Sequence, residues 1–332
     1  MSCWFNPYKP QSTIAISTRI RLARNIMGIP FPSQMSPEQF KTVNDLVRSA
    51  ICDCEEPIAK NLKYISMNDI PQIERFAMVE RHIISKNFAS NYQNRAIIIS
   101  EDESICVMLG EEDHIRIQVL FDGMQLERAY NIANSIDKIL CNRLNIAFDS
   151  RIGFLTACPT NVGTGLRASV MLHLPMIGDN MKNFSNIINQ NGFTIRGMYG
   201  EGTKALASLY QISNQKTLGM SENDAIKNLK IITQKALEKE NTARRGINKL
   251  WLEDKVMRSY GVLKNARLLT SEELLSRISD VILGVGMGVV ESKIWPIELL
   301  VNTQPNMLMK KLGEMSPESR DIERATMIRN LL

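Results

Sequence analysis

The run Ser17-Thr18-Arg19-Ile20-Arg21-Leu22-Ala23-Arg24 has the two-residue period of a β-strand. If extended, it sets Arg19 and Arg21 on one face and Ile20 and Leu22 on the other. Three further arginines stand in marked contexts. Arg116 closes Gly110-Glu111-Glu112-Asp113-His114-Ile115-Arg116, and Arg167 follows Cys158-Pro159-Thr160-Asn161-Val162-Gly163-Thr164-Gly165-Leu166. Arg196 opens Arg196-Gly197-Met198-Tyr199-Gly200-Glu201-Gly202-Thr203. Singly, each reads as a surface arginine. Together they are what a nucleotide site without a P-loop requires, several fixed cations that neutralise phosphate charge.

The rest of the chain supplies a frame of mixed type. Ser36-Pro37-Glu38-Gln39 starts a helix with an N-cap serine, a proline at N1 and a capping-box glutamine, and Phe40 to Ile51 continues it. Residues 96–100, 104–109 and 115–120 read as strands, with Glu101-Asp102-Glu103 as a hairpin connection. Gln125 to Leu144 is helical by period, Val170 to Leu174 is a strand closed by Pro175, and residues 192–210 are strand and loop. Ser221 caps a helix running to about Glu240. The polar stretch Glu238 to Gly246 then divides the chain, and the residues beyond it read as helices alone. The expected organisation is an α+β domain over residues 1–240 and a small helical domain over residues 241–332.

Composition narrows the function class. With 332 residues, 44% hydrophobic and 23% charged, the chain is long enough for two ordinary globular cores. A net charge of +5 suits an anionic ligand without arguing for nucleic acid. Residues 1–11 contain no apolar signal core, and no apolar run reaches the roughly eighteen residues of a membrane span. A cytoplasmic location with reduced thiols is the expectation for the six cysteines. Cys52 and Cys54 are too close for zinc-finger spacing, so no metal site is expected. Walker, His-Arg-Asp and Asp-Phe-Gly signatures are absent, and Phe121-Asp122-Gly123 reads as a turn. His114 and His173 are expected to be structural. Gly284-Val285-Gly286-Met287-Gly288 reads as a helix terminus or a close helix contact, not a dinucleotide fingerprint.

The arginine segments, the Cys158–Thr164 motif and Tyr210-Gln211-Ile212-Ser213-Asn214 with Leu218-Gly219 closely resemble the phosphagen kinases. Within that family the resemblance is closest to bacterial protein-arginine kinases, through Arg167-Ala168-Ser169-Val170-Met171 and the segment from Arg196 to Thr203. It implies an antiparallel sheet flanked by helices, of the glutamine-synthetase-like kind. It also implies roles by position. Ser17, Thr18, Arg19, Ile20, Arg21, His82, Arg116, Arg167, Ala168, Ser169, Val170, Met171, Arg196, Gly197, Met198, Tyr199 and Gly200 would line the ATP site, the arginines on the phosphates and His82 against the adenine or ribose. Mg²⁺ would bridge the phosphates. Glu112 and Glu201 would flank the acceptor guanidinium, with Cys158 approaching from a third side. The chemistry suits these residue types: a guanidinium is a poor nucleophile because it is protonated, and a carboxylate can both orient it and take its proton. A thiolate at Cys158 would add negative charge near that cation.

The sequence departs from the small-molecule members in three ways. They carry a helical domain before the first arginine pair, and Arg19 here stands near the start, which implies an open acceptor side suited to an arginine on a protein. Gly110 replaces their usual asparagine. The added helices contain Arg320-Asp321-Ile322-Glu323-Arg324-Ala325, similar to the phosphoarginine-binding, allosteric motif of the protein-arginine kinases. There Asp321 would hold a guanidinium while Arg320 and Arg324 pair with a phosphoryl group, with Ala325 completing the pocket. The same spacing also reads as charge pairs on an ordinary helix. The leading expectation is a protein-arginine kinase; a small-molecule arginine kinase and a non-catalytic phosphoarginine-binding module are the alternatives. The resemblance further implies a homodimer in stress response. Its partners would be proteins with exposed arginines, a zinc-binding activator, a heat-shock repressor and a Clp-type protease, with neither nucleic acid nor membrane.

Overall fold

The computed structural model describes residues 3–5, 12–178, 181–197, 206–291 and 296–332. The alternating segment becomes strand β1 (Ala15–Arg24), which lies inside an eight-stranded sheet. The other strands are β2 (Leu62–Ser66), β3 (Ala96–Ser100), β4 (Ile105–Leu109), β5 (Ile115–Asp122), β8 (Leu166–His173), β9 (Phe193–Gly197) and β10 (Leu209–Asn214). A separate small hairpin pairs β6 (Phe148–Asp149) with β7 (Gly153–Phe154). The order across the large sheet is β2-β3-β4-β5-β1-β8-β10-β9, antiparallel at every pairing.

One face of the sheet is covered by α1 (Pro37–Cys52), α4 (Leu126–Arg143), α5 (Met181–Gln190) and α6 (Glu222–Arg245). Ile20, Leu22, Ile117, Val119, Ala168, Val170 and Ile212 fill that core. The expected capping box at Ser36 forms, with Ser36 and Gln39 each bonding the other's backbone. On the opposite face, α2 (Gln72–Glu80) and α3 (Lys86–Ser90) cover Ile97, Ile99, Cys106 and Met108 at one end. The remaining helices are α7 (Lys249–Asn265), α8 (Ser271–Gly286), α9 (Pro296–Asn302), α10 (Pro305–Leu312) and α11 (Pro317–Leu331). Residues of α8, α9, α10 and α11 pack with Trp4, Ile16, Leu120 and Leu209. The arginines of β1 therefore lie between two packed flanks of one face.

β8 begins four residues before the expected Val170, because its first half pairs fully with β1. The strand β2 and the helices α2, α3, α5 and α10 lie outside the expectation from sequence. α6 passes through the expected division at residue 240 and ends at Gly246. Glu240 explains the continuity: it is buried, pairs with Arg244, and accepts from the backbone of Met176 and Ile177 at 3.2–3.3 Å. The glycine run behaves as expected, since α8 ends at Gly286 and a Cβ on Gly284 would sit 2.4 Å from Val256 of α7.

His173 joins β8 to the C-terminal helices, its Nε2 lying 2.9 Å from Ser279 Oγ and its Nδ1 3.5 Å from Arg244. Burial, aided by Arg244, lowers its pKa to about 3. A histidine kept neutral in the fold takes up its proton only on unfolding. Its contribution is therefore intact above the ordinary pKa of 6.5 and is lost as pH falls towards 3. His173→Gln should make the loss of stability between about pH 6.5 and 5 shallower, by up to about 1.4 kcal/mol per pH unit. Denaturant unfolding of both proteins across that range checks the slope.

Candidate functional site

Strand register decides which predicted residues meet. Arg21 stands opposite Gln118 on β5 and Arg167 on β8, while Arg116 stands opposite Ala23. Met171 stands opposite Gln211, which in turn faces Arg196 on β9. Cross-strand partners share a face, so Arg19, Arg21, Arg116, Arg167 and Arg196 all rise from the side opposite the helix-covered core. Ser17, Ser169 and Met171 share that side. Ile20, Ala168 and Val170 instead point into the core. Thr18 is buried there too, donating to Gly123 O at 2.7 Å and accepting from Gln125 N at 2.9 Å. Gly197 ends β9, and Met198, Tyr199, Gly200 and Glu201 lie outside the described residues.

Like charge dominates the arginine face, although Arg116 is paired with Glu111. Burial, then Arg116, lowers the Arg19 pKa to about 10. Burial and the charges of Arg19, Arg116 and Arg167 push Arg21 down further, against a small opposing effect of Glu111. Arg21 Nε is buried and, among the described residues, has no hydrogen-bond partner. Arg167 is lowered by burial, Arg196 and Arg116, and raised by Cys158 and Glu112. These mutual effects place cations, thiol and carboxylate within one electrostatic neighbourhood. A polyanion that binds here relieves like-charge repulsion and supplies acceptors in the same step.

Beside the arginines, Glu111 and Glu112 divide their work. Glu111 is buried and paired with Arg116; burial raises its pKa, but that pairing and a bond from Ser85 bring it below the ordinary value. Glu112 is exposed. The next residue, Asp113, is buried and accepts from Asn25 Nδ2 and from Ala157 N, both at 2.7 Å. Because Ala157 precedes Cys158, this carboxylate fastens the Glu112 loop directly to the Cys158 loop. His114 completes the anchor as expected of a structural histidine, with Nδ1 accepting from Ile26 N at 3.0 Å and Nε2 2.7 Å from Pro30 O. Gly110 has φ +81°, and a Cβ there would meet the Phe40 ring at 2.6 Å.

The Cys158 loop is equally well held. Cys158 Sγ lies 3.1 Å from Thr160 Oγ1, which accepts from Arg167 Nη2 at 2.9 Å. Arg167 Nε donates to Asn161 Oδ1 at 3.1 Å. Gly163 has φ +109°, and a Cβ on it would stand 2.2 Å from Thr217 O, so the motif admits only glycine there. Thr160 and Asn161 thus link the motif to the arginine face.

Further along β1, a pocket is lined by Trp4, Ser17, Arg19, His82, Leu120, Ser169, Met171 and Gln211. Arg19 donates to Gln211 Oε1 at 3.1 Å. His82 is kept neutral by burial, then by Arg19, with its pKa lowered to about 4. Trp4, Gln118 and Asn25 carry no signal of their own in the sequence, and Gln211 stands inside the Tyr210–Asn214 segment without a role that the segment assigns to it. Asp113 stood inside a recognised motif, and its position there was the available signal.

The Arg320–Ala325 motif lies on α11, among the C-terminal helices. Arg320 Nη1 is 3.8 Å from Met309 Sδ, and its charge reaches Glu80. Arg324 differs from the expectation that it faces a ligand. It is 1% exposed, donates to Thr303 O at 3.0 Å and Leu269 O at 2.7 Å, and pairs with Asp321. Ala325 is buried in the helical core. No group of three or more metal-ligating side chains occurs among the described residues, and none of their helices is long and apolar enough to cross a membrane.

Two family models match the chain: ATP:guanido phosphotransferase, C-terminal catalytic domain, over residues 42–243, and Protein-arginine kinase McsB C-terminal domain, over residues 249–332. A protein-arginine kinase of Clostridium acetobutylicum is 44% identical over 340 residues, covering 100% of both chains. One of Pelotomaculum thermopropionicum is 42% identical, covering 99% of this chain and 95% of its own. Among solved structures, the duplicated taurocyamine kinase of Schistosoma mansoni with bound transition state analog components superposes with a TM-score of 0.63 at 26% identity. It covers 76% of this chain and 39% of its own. Lombricine kinase shares the fold with a TM-score of 0.62 at 23% identity, over 72% of this chain and 70% of its own.

Proposed function

The chain belongs to the ATP:guanido phosphotransferase family and, within it, to the protein-arginine kinases; we propose that it transfers the γ-phosphoryl group of ATP to arginine side chains of proteins. The observation that carries this reading is the cluster of mutually repelling arginines, whose Arg21 Nε has no hydrogen-bond partner among the described residues, set beside the joined Glu112 and Cys158 loops. One part suits a triphosphate, the other a cation.

In this reading Arg19, Arg21, Arg116, Arg167 and Arg196 bind the phosphates, and the pocket of Trp4 and His82 takes the adenine and ribose. Mg²⁺ enters with the nucleotide as part of the substrate and supplies charge neutralisation across its phosphates. Glu112, with Glu201, holds the acceptor guanidinium. As a guanidinium nitrogen bonds to the γ-phosphorus, the bond from phosphorus to the ADP oxygen breaks, and Glu112 takes the proton leaving the nitrogen. The loose transition state gathers charge that the arginines are already placed to meet. Cys158 assists by adding negative charge near the substrate cation. On α11, Arg320 and Asp321 would recognise phosphoarginine as an allosteric ligand, while Arg324 shapes the pocket from behind. A dimeric cytoplasmic enzyme of stress response, with a zinc-binding activator, a heat-shock repressor and a Clp-type protease as partners, completes the reading.

The test offers Mg-ATP with an unfolded protein and with free arginine, and assigns phosphosites by mass spectrometry. Phosphoarginine on the protein is the expected product. Phosphate on free arginine alone would establish a small-molecule kinase instead, and phosphoarginine binding without ATP turnover a recognition module.

A further inference from the structure

We propose that Gln118 is a positioning residue for the nucleotide, acting through the turn Arg81-His82-Ile83. This rests on reading the pocket of Trp4, Arg19 and His82 as the nucleotide pocket. α2 stops at Glu80, and His82 then takes φ +61°, a left-handed conformation that an L-residue with a side chain rarely adopts. Three successive carbonyls of the turn are held from outside it. Trp4 Nε1 donates to Arg81 O at 3.0 Å. The Gln118 amide donates to His82 O at 2.9 Å and Ile83 O at 2.7 Å.

Gln118 is 4% exposed and rises from the arginine face of β5, opposite Arg21 on β1 and Cys106 on β4. Among the arginines its amide nitrogen is committed to backbone, so it serves as a post on which the turn hangs. The opposite side of the turn is clamped as well. The Glu80 carboxylate accepts from Asn306 N, Asn306 Nδ2 and Met307 N at 2.6–3.0 Å, capping α10. Arg81 donates to Glu74 and Glu103 at 2.7–2.9 Å. With its neighbours fixed, the turn delivers the His82 ring into the pocket in one orientation. Without the amide, two carbonyls lose their partners and His82 is free to leave the left-handed region. The acceptor side is built separately, on Asp113, Asn25, His114 and Pro30, none of which bonds the turn.

Gln118→Met keeps the side-chain volume and removes both donors. Calorimetry without acceptor should show the Kd for Mg-ATP rising about tenfold. The KM for a protein acceptor, and kcat at saturating ATP, should stay within about twofold of the parent. Gln118→Asn keeps an amide but shortens its reach to the two carbonyls and should weaken Mg-ATP binding by about threefold, which serves should the first variant fail to fold. Unchanged Kd in either folded variant overturns the proposal. So does an equal fall in kcat at saturating ATP, which marks a general structural role. Failure of the parent protein itself to bind Mg-ATP would instead remove the nucleotide reading beneath it.

Discussion

Glu112→Gln should slow phosphoryl transfer to a protein arginine by roughly a thousandfold, within the range of general-base contributions, while the Kd for Mg-ATP stays near that of the parent. The substitution keeps shape and removes only the charge and the proton-accepting capacity. A guanidinium with a pKa above about 12 cannot attack while protonated, so loss of the base falls on the chemical step. The loop itself keeps its anchors: Glu111 on Arg116, Asp113 on Asn25 and Ala157, and His114 on Ile26 and Pro30. Glu112 is exposed and reaches the arginine face through Arg167 only as one of several charges, so nucleotide binding is little affected. Single-turnover transfer of labelled phosphate, scored as acid-labile product, measures the rate, and calorimetry measures the affinity. Retention of more than about a tenth of the parent rate would show that Glu112 is not the base.

How much the sequence reveals depends on the range over which each feature is encoded. The period of β1, the cap at Ser36 and the strands around Glu101–Glu103 are local patterns, and each forms where local physics puts it. The shared face of the β1 arginines is legible for the same reason, since alternation alone sets Arg19 and Arg21 on one side. β2 and α2 are short segments without a sustained period, and their place depends on β3 and on the apolar cluster around Met78 and Phe88. The contacts that give the site its shape are longer still: Trp4 with Arg81, Asp113 with Ala157, Glu80 with Asn306. No window of neighbouring residues contains both ends of such a bond. Arg320 and Arg324 show the limit within one motif. Four residues apart on α11, they share a side of the helix, yet Arg324 is enclosed by Thr303 and Leu269 and Arg320 is not. Spacing carries no record of which elements close over a helix.

Arg21→Met should separate stability from binding in opposite directions. Without nucleotide, the variant is expected to be more stable than the parent by about 1–2 kcal/mol, as when a buried charge gives way to an apolar side chain of similar length. The sign follows from the depressed Arg21 pKa: burial and the charges of Arg19, Arg116 and Arg167 disfavour its cationic form in the fold. At neutral pH that form is nonetheless the one present, so the fold carries a cost that methionine removes. In the proposed reading the cation is also a phosphate partner, and its Nε donor has no hydrogen-bond partner among the described residues. Loss of charge-assisted bonds to phosphate should weaken Mg-ATP by about a hundredfold. Adding Mg-ATP must then invert the order of stability. At a ligand concentration near 100 times the parent Kd, the parent gains about 2.7 kcal/mol by mass action and the variant less than about 0.5. Thermal unfolding with and without Mg-ATP reads both effects in one experiment, as melting temperatures that exchange rank. A variant less stable than the parent in the absence of nucleotide, with unchanged nucleotide stabilisation, would mean that Arg21 supports the sheet and not the phosphates. The expected exchange of rank would mean that β1 holds its arginines together against their own repulsion, and that the nucleotide supplies the missing counter-charge.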